Sequence, residues 1–263
     1  LTQDEGYAIL GDVTYINSGQ KGVLLLKIDK EGNLSWKKSY YNDLFSESVN
    51  AYSLVETEDG GFVLTGTISE KHRHYPWLVK LNRKGEPEWM RIYKFDESDF
   101  YVQSGGIKLI RTRDGGYILG CTVFQSSIPQ YLDTLLLNLD KDGNVRWLKT
   151  YGGKDNHFML SLMQTDNGEY ILAGLKSYPD KVSKDADIWI LKLNEKGNVK
   201  WQRIYDNADD RAISIKQTKD GKFIIFGLGL NKEKGNPLYF LFPSSISIYF
   251  LGLDQDGNLE WQD

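Results

Sequence analysis

Cysteine is nearly missing from this sequence of 263 residues: Cys121 stands alone, which excludes an internal disulfide and any multi-cysteine zinc site. Long apolar runs are missing as well, and none approaches the roughly 20 residues that cross a bilayer as a helix. There is no basic excess. Lys and Arg number 32 against 36 Asp and Glu, a net charge of −4, so the electrostatic footprint of a nucleic-acid binder is absent. No stretch of twelve residues repeats apolar positions at three and four, which excludes long amphipathic helices. A Gly-x-Ser-x-Gly elbow, a phosphate loop and a dinucleotide fingerprint are likewise missing, and no cofactor is expected. The chain opens at Leu1 without a methionine and reads as a processed or trimmed product, any signal peptide already removed.

What the chain does hold is aromatic: 7 Trp, 16 Tyr and 11 Phe against 6 Pro, a composition that favours strands. These aromatics are phased. Gly32, Gly85, Gly143, Gly197 and Gly257 are each followed four residues later by a tryptophan: Trp36, Trp89, Trp147, Trp201 and Trp261. Eight residues before the same glycines stand Leu24, Trp77, Leu135, Trp189 and Tyr249. The first four copies continue as Trp-x-(Lys/Arg)-x-Tyr. A second anchor runs from threonine to an aromatic five residues on (Thr2 to Tyr7, Thr57 to Phe62, Thr112 to Tyr117, Thr165 to Tyr170, Thr218 to Phe223), with turn residues between. Four residues further on comes Gly11, Gly66, Gly174 or Gly227, and Cys121 holds that place in the third copy. Cys121 therefore reads as a buried core residue rather than a nucleophile, which needs an open, electropositive setting.

A period of fifty-odd residues marks a repeat architecture. Each unit reads as four short strands joined by tight Gly/Asn turns, which tolerate positive φ. The third strand is apolar on both faces and hence covered on both. Four-stranded antiparallel units repeated radially make a β-propeller. The expectation is one all-β domain over 1–263 with five blades, at about 1–45, 46–98, 99–153, 154–206 and 207–263; a fragment of a larger propeller is the alternative. The first strand of the first unit is nearly absent, and the last unit ends two residues after its tryptophan.

The unit Thr-x-Asp-Gly-Gly-Tyr…Gly-Asn-x-x-Trp resembles the propeller repeats of secreted and surface proteins of bacteria and archaea. These belong to the quinoprotein-like group, which includes periplasmic scaffold lipoproteins of outer-membrane assembly. That group's tryptophan-docking motif is Ala-x-Asp-x-x-Thr-Gly-x-x-x-Trp. The Gly-to-Trp spacing matches in all five copies; the acid or amide (Asp29, Asn82, Asp140, Asn194, Asp254) sits three residues before the glycine rather than four, and the threonine is absent. The resemblance implies an extracytoplasmic propeller. It also brings in a quinone-dependent dehydrogenase reading, which the single cysteine and a five-blade ring do not support.

The stretch "DKDGNVRWLKTY" at 140–151 looks like a calcium loop but reads as a hairpin turn and docking strand. An EF-hand loop puts glycine sixth and an acid twelfth, whereas here glycine is fourth and Tyr151 twelfth. The copy "NRKGEPEW" has lost both acids and keeps Gly85 and Trp89. No metal is expected at these turns.

Turns between strands one and two, and three and four, fall at one end of each blade and are generic. The other connections vary from copy to copy, and variable loops on a rigid scaffold usually carry binding residues. The candidates there are His72, Arg73, His74 and Tyr75 in blade 2, Tyr131 in blade 3, Tyr178 in blade 4, and the apolar run with Leu238, Tyr239, Phe240 and Phe242 in blade 5. His157 joins them from an inter-blade loop, so all three histidines map to this face. The inter-blade loops are acid-rich, with Asp43, Glu47, Asp96, Glu97, Asp99, Asp155, Asp206, Asp209 and Asp210. Solvated loop residues are the plainer reading of both the histidines and the acids. The apolar run is either a partner-docking patch or a lid. The functional expectation is a non-catalytic binding or scaffold propeller outside the cytoplasm, its partner a protein or an envelope component. The alternative is a five-bladed glycosidase-like enzyme with two channel carboxylates about 5–10 Å apart.

Overall fold

The computed structural model describes residues 1–16, 19–41, 44–45, 49–71, 73–95, 100–103, 107–125, 128–178, 186–205, 210–231 and 245–263. Every described element is a strand or a turn. Blade 1 is a sheet of β1 (Tyr7–Thr14), β2 (Lys21–Ile28) and β3 (Leu34–Tyr40) in that order. Blade 2 is β4 (Val49–Glu56), β5 (Phe62–Glu70), β6 (Arg73–Leu81) and β7 (Pro87–Ile92). Blade 3 holds β8 (Phe100–Val102), β9 (Lys108–Arg111), β10 (Tyr117–Gln125), β11 (Ile128–Leu139) and β12 (Val145–Tyr151). Both β8 and β9 pair with β10, so the first strand of this blade comes in two pieces. Blade 4 is β13 (Asn156–Gln164), β14 (Tyr170–Ser177), β15 (Ala186–Leu193) and β16 (Val199–Tyr205). Blade 5 is β17 (Asp210–Gln217), β18 (Phe223–Asn231), β19 (Ser245–Leu253) and β20 (Leu259–Gln262). The protein is an all-β, five-bladed β-propeller. Its chain forms two compact units, Leu1–Ser127 with Leu136–Leu148, and Ile128–Leu135 with Lys149–Asp263.

Within a blade, the packing follows from one large and one small residue facing each other across the second and third strands. Gly66 opposes Trp77, Gly174 opposes Trp189 and Gly227 opposes Tyr249. A Cβ on Gly66 would lie 2.8 Å from the Trp77 ring and 1.7 Å from the Asn50 carbonyl, so only glycine fits there. In blade 3 the two positions read Cys121 and Leu135: a larger side chain in the small place and a smaller one in the large place, which conserves volume. Cys121 is fully buried and its thiol is pushed up to about 12 by burial, the state of an inert core residue.

Between blades, one joint recurs. The tryptophan of one blade lies against the turn glycine of the next. A Cβ on Gly85 or Gly143 would come within 3.0 Å of Trp36 or Trp89, and one on Gly257 within 2.8 Å of Trp201. The following tyrosine donates its hydroxyl to the carbonyl of the same glycine: Tyr40 to Gly85 at 2.8 Å, Tyr93 to Gly143 at 2.9 Å, Tyr151 to Gly197 at 2.7 Å, and Tyr205 to Gly257. Burial pushes these phenols up, Tyr205 to about 12. All five turn glycines have positive φ, from 72° to 88°. A second joint uses a serine just past a β-bulge in the first strand. Ser53 Oγ accepts the Leu109 amide at 3.3 Å, and Ser161 Oγ accepts the Ile215 amide at 3.2 Å. Each unit has its own core: Phe45, Phe62 and Trp77 lie in that of the first, Ile171, Ile190 and Phe223 in that of the second.

Candidate functional site

The hairpin end of the blades is architectural. In the turns around Asp29, Asn82, Asp140, Asn194 and Asp254, that residue's Oδ1 accepts the backbone amide four residues on, at 2.7–3.0 Å. These bonds hold Asp29, Asp140 and Asp254 below the usual carboxylate range. The opening acid of "DKDGNVRWLKTY" is thus engaged with its own turn. The other turn is equally regular. Thr2, Thr57, Thr112 and Thr218 each donate a hydroxyl to the aspartate two residues on (Asp4, Asp59, Asp114 and Asp220), and Thr165 donates to Asn167. A nearly buried lysine of the third strand pairs with the acid: Lys27 with Asp4 at 2.9 Å, Lys80 with Asp59 at 2.9 Å, and Lys192 with Glu169 at 3.1 Å. The Thr2 hydroxyl and Lys27 lower Asp4 to about 2. Burial raises Asp59, but the bonds from Thr57 and Lys80 outweigh it and leave the group depressed. Clefts of about 410, 420 and 340 Å3 open at this end, the first lined by Asp4, Lys27 and Trp36, the second by Asp59, Lys80 and Trp89, the third by Asn167, Lys192 and Asp220. They fall at corresponding positions of the repeat, so they follow from the fold.

The opposite end of the second unit breaks the repeat. There Asp133, His157, Asp187 and Asp210 are all buried. The ladder fixes their equivalents. Ala51, Met159 and Ala212 each oppose the second-strand glycine, so Val49, His157 and Asp210 occupy one position in blades 2, 4 and 5. Asp133 and Asp187 lie two residues before Leu135 and Trp189, where blades 1, 2 and 5 carry Gly22, Tyr75 and Ser247. A polar side chain at such a buried position costs stability unless it is partnered.

The partners are local. His157, Lys176 and Asp187 form one row across β13, β14 and β15. Lys176 pairs with Asp155 at 2.9 Å and stands over the Tyr178 ring at 4.9 Å. The Tyr178 hydroxyl donates to Asp187. His157 Nδ1 lies 2.9 Å from the Asp155 carbonyl. A carbonyl only accepts, so Nδ1 carries the proton and Nε2 the lone pair. Burial pushes this imidazole below its ordinary value, leaving it neutral at pH 7, edge-on to Trp189 at 4.9 Å. Asp133 accepts the Gly153 amide at 3.0 Å. A Cβ at Gly152 would lie 1.7 Å from the Asp133 carboxylate, and one at Gly229 2.5 Å from that of Asp210; both glycines leave room for an acid. Among the described residues, no group of three or more His, Cys, Asp or Glu side chains is placed to hold a metal ion.

This placement corrects the sequence reading in several places. Arg73, His74 and Tyr75 are half-buried residues of β6 rather than loop residues, because β5 and β6 stay paired out to Glu70 and Arg73, and Lys71 turns the chain with φ of 48°. His74 Nδ1 is 2.9 Å from Ser69 Oγ. Tyr131 lies half-buried on β11, in a stretch read as loop. His157 is a buried strand residue rather than a solvated loop histidine. Tyr178 sits just beyond β14 as read, half-buried, with Asp187 as its acceptor. His72, Leu238, Tyr239, Phe240 and Phe242, with the acids Asp43, Glu47, Asp96, Glu97, Asp99, Asp206 and Asp209, lie outside the described residues. The reading from sequence passed over Asp133, Asp187 and the serines Ser53 and Ser161. The signal for the two aspartates was available: a charge two residues before the aromatic position, in two copies only.

No protein-family profile matches the chain, and no curated protein sequence matches it. Solved structures do. The chain is similar to the Dos1 propeller at 10% identity and a TM-score of 0.54, over 97% of this chain and 58% of that one. It is similar to a levansucrase variant from B. megaterium at 11% identity and 0.52, over 98% and 80%. It is similar to a puromycin hydrolase variant at 12% identity and 0.53, over 84% and 34%. The chain thus spans less than two thirds of the Dos1 propeller's length. At these identities the likeness is one of fold. It also overturns the expectation that the protein is not an enzyme: levansucrase and puromycin hydrolase are enzymes by name and share the architecture, so repetition without a familiar motif does not mark a propeller as non-catalytic.

Proposed function

We propose that the protein binds a polyhydroxylated, carbohydrate-type ligand at the strand-end region of the second unit, formed by the start of β11 and by blades 4 and 5. The observation that carries this reading is the replacement of repeat residues by buried polar ones, Asp133, His157, Asp187 and Asp210, in one compact unit. Carboxylates and a neutral imidazole nitrogen accept hydrogen bonds, Lys176 donates them, and the Tyr178 hydroxyl oxygen, whose proton goes to Asp187, accepts. Such a mixed set of fixed acceptors and donors suits hydroxyl groups, and the half-buried Tyr178 ring beside it suits the apolar face of a sugar. An extracytoplasmic setting, a glycan-bearing envelope component or protein as partner, and membership of the quinoprotein-like propellers go with this proposal; their support is the repeat unit and its glycine-docked tryptophans.

A second reading is favoured by one specific observation. Asp133, Asp187 and Asp210 are carboxylates held in buried settings, on a fold shared with levansucrase, so the same residues are candidates for acid–base work on a glycosidic bond. The test for both is a thermal-shift panel of soluble oligosaccharides against the wild type and the Asp187→Asn and Asp210→Asn variants. A raised melting temperature, lost in the variants, supports the site. Release of reducing sugar on prolonged incubation selects the second reading. A panel in which no glycan stabilises the protein refutes both.

A further inference from the structure

Asn156 is the first residue of β13, and its side chain joins three strands. Its Oδ1 accepts the Leu132 amide of β11 at 2.8 Å, and its Nδ2 donates at 3.3 Å to Ser177 Oγ of β14, the residue opposite it in the ladder. A backbone amide only donates, so the side-chain amide has one orientation. Two further bonds join the same stretches of chain. Thr134 Oγ donates to the His157 carbonyl at 3.1 Å, and the Gly153 amide donates to Asp133 at 3.0 Å. Leu132, Asp133 and Thr134 are consecutive on β11, and they donate, accept and donate in turn. All of these residues belong to the second unit.

A sister joint shows what this stitch replaces. Val23 precedes Leu24 as Thr134 precedes Leu135, and Val49 holds the place of His157. Val23 and Val49 are fully buried in one apolar core. Apolar packing sets no donor–acceptor geometry, whereas hydrogen bonds weaken steeply away from their preferred line. Buried polar groups at such places cost stability unless each is partnered, and Asp133, Thr134 and His157 each are. The frame closes the first joint without them, so the stitch serves the groups that it holds. His157 Nδ1 stays on the Asp155 carbonyl only while the backbone of 155–157 keeps its place. That backbone is what Asn156 and Thr134 hold.

We infer that Asn156 is the positioning residue of this region: by tying β13 to the Leu132 amide, it sets the Asp133 carboxylate and the Nδ1–H tautomer of His157, which stand on different blades, in one fixed arrangement. Asn156 acts through these two groups and need not touch a ligand itself. For a ligand, the inference rests on the function proposed above; for the imidazole, it stands alone.

Heteronuclear NMR of the imidazole nitrogens tests it, since the chain has 3 histidines and a His157→Gln variant assigns the signal. The expected wild-type signal is a single Nδ1–H tautomer, titrating below the ordinary histidine value because burial disfavours the charge. In Asn156→Ala the tautomers should mix, and the midpoint should rise toward the ordinary value as water reaches the ring. Asn156→Asp keeps an oxygen for the Leu132 amide and should retain the wild-type tautomer. A glycan that raises the melting temperature of the wild type should lose that effect in Asn156→Ala. If circular dichroism shows Asn156→Ala unfolded, Thr134→Val takes its place, with the residue type that blade 1 carries there. Wild-type tautomer and midpoint in the folded variant overturn the inference even where the melting temperature falls, because Asn156 then only stabilises the joint. If no glycan binds the wild type, the function proposed above fails, and the imidazole signals still decide this inference.

Discussion

At the hairpin end, Asp4, Asp59, Asp114 and Asp220 each take the hydroxyl of the threonine two residues earlier, and a lysine or arginine stands beside three of them. At the other end of the second unit, Asp133, Asp187 and Asp210 sit where sister blades carry Gly22, Val49, Tyr75 or Ser247. The same residue type serves two purposes, and repetition separates them. An acid that returns in blade after blade belongs to the frame. An acid that appears where its siblings are apolar or small answers to something outside the frame.

Four substitutions sharpen or break that contrast. The largest effect is expected at the inter-blade joint. Gly143→Val forces a β-branched residue into positive φ, at about 1–2 kcal/mol, and drives its side chain into Trp89 at a further cost of about 1–3 kcal/mol. Urea denaturation should show a loss of about 3 kcal/mol; a loss below about 1 kcal/mol would mean that the Trp–Gly joint does not hold the blades.

A smaller effect distinguishes the two ends by sign. Asp4→Asn removes a group whose folded-state pKa, about 2, lies below the unfolded value of about 3.9. A depressed carboxylate stabilises the fold above its unfolded pKa, and that stabilisation disappears as pH falls through the folded value. The wild type should therefore lose stability between about pH 4 and pH 2 more steeply than the variant. At pH 7 the variant should be weaker by no more than about 1 kcal/mol, since Asp4 is largely exposed to solvent. Asp187→Asn, by contrast, keeps an oxygen for the Tyr178 hydroxyl and removes a buried charge, so the melting temperature at pH 7 should hold or rise. A fall comparable to that of Asp4→Asn would move Asp187 into the frame.

An effect of similar size but opposite sign is expected at Glu5. It occupies the place of Gly60, Gly115, Gly168 and Gly221 and shares their positive φ, at 63°. Glu5→Gly should stabilise the protein by about 1 kcal/mol, read as a raised urea midpoint. No change would indicate that glycine's greater freedom in the unfolded chain offsets the relief.

The frame was legible in the sequence because its rules are local. Positive φ selects glycine, a tight turn selects Asp or Asn, and the Gly-to-Trp spacing is the length of one strand entry. The inter-blade serines were not legible, because a bulge after Ala51 and after Met159 shifts the register and changes the face on which Ser53 and Ser161 project. The site was legible only in part. Charge along 155–157 was read as a solvated loop, whereas the Asn156 side chain accepts the Leu132 amide and Thr134 bonds the His157 carbonyl, long-range contacts that hold the segment in strand form. Lys27, Lys80 and Lys192 recur at one spacing, but their acids Asp4, Asp59 and Glu169 come from the turn before the neighbouring strand, so only the fold reveals the pairing.

The glycine joint also bears on how such a chain changes over generations. Blades 1 to 4 each carry one half of the fastening at their own turn glycine and the other half, the tryptophan and the tyrosine, at their trailing edge. A duplicated or deleted unit therefore arrives with both halves, and any two units brought together by recombination already match. Blade number can drift without new contacts having to evolve, while positions such as 133, 157, 187 and 210, on which no fastening depends, are free to specialise one copy at a time.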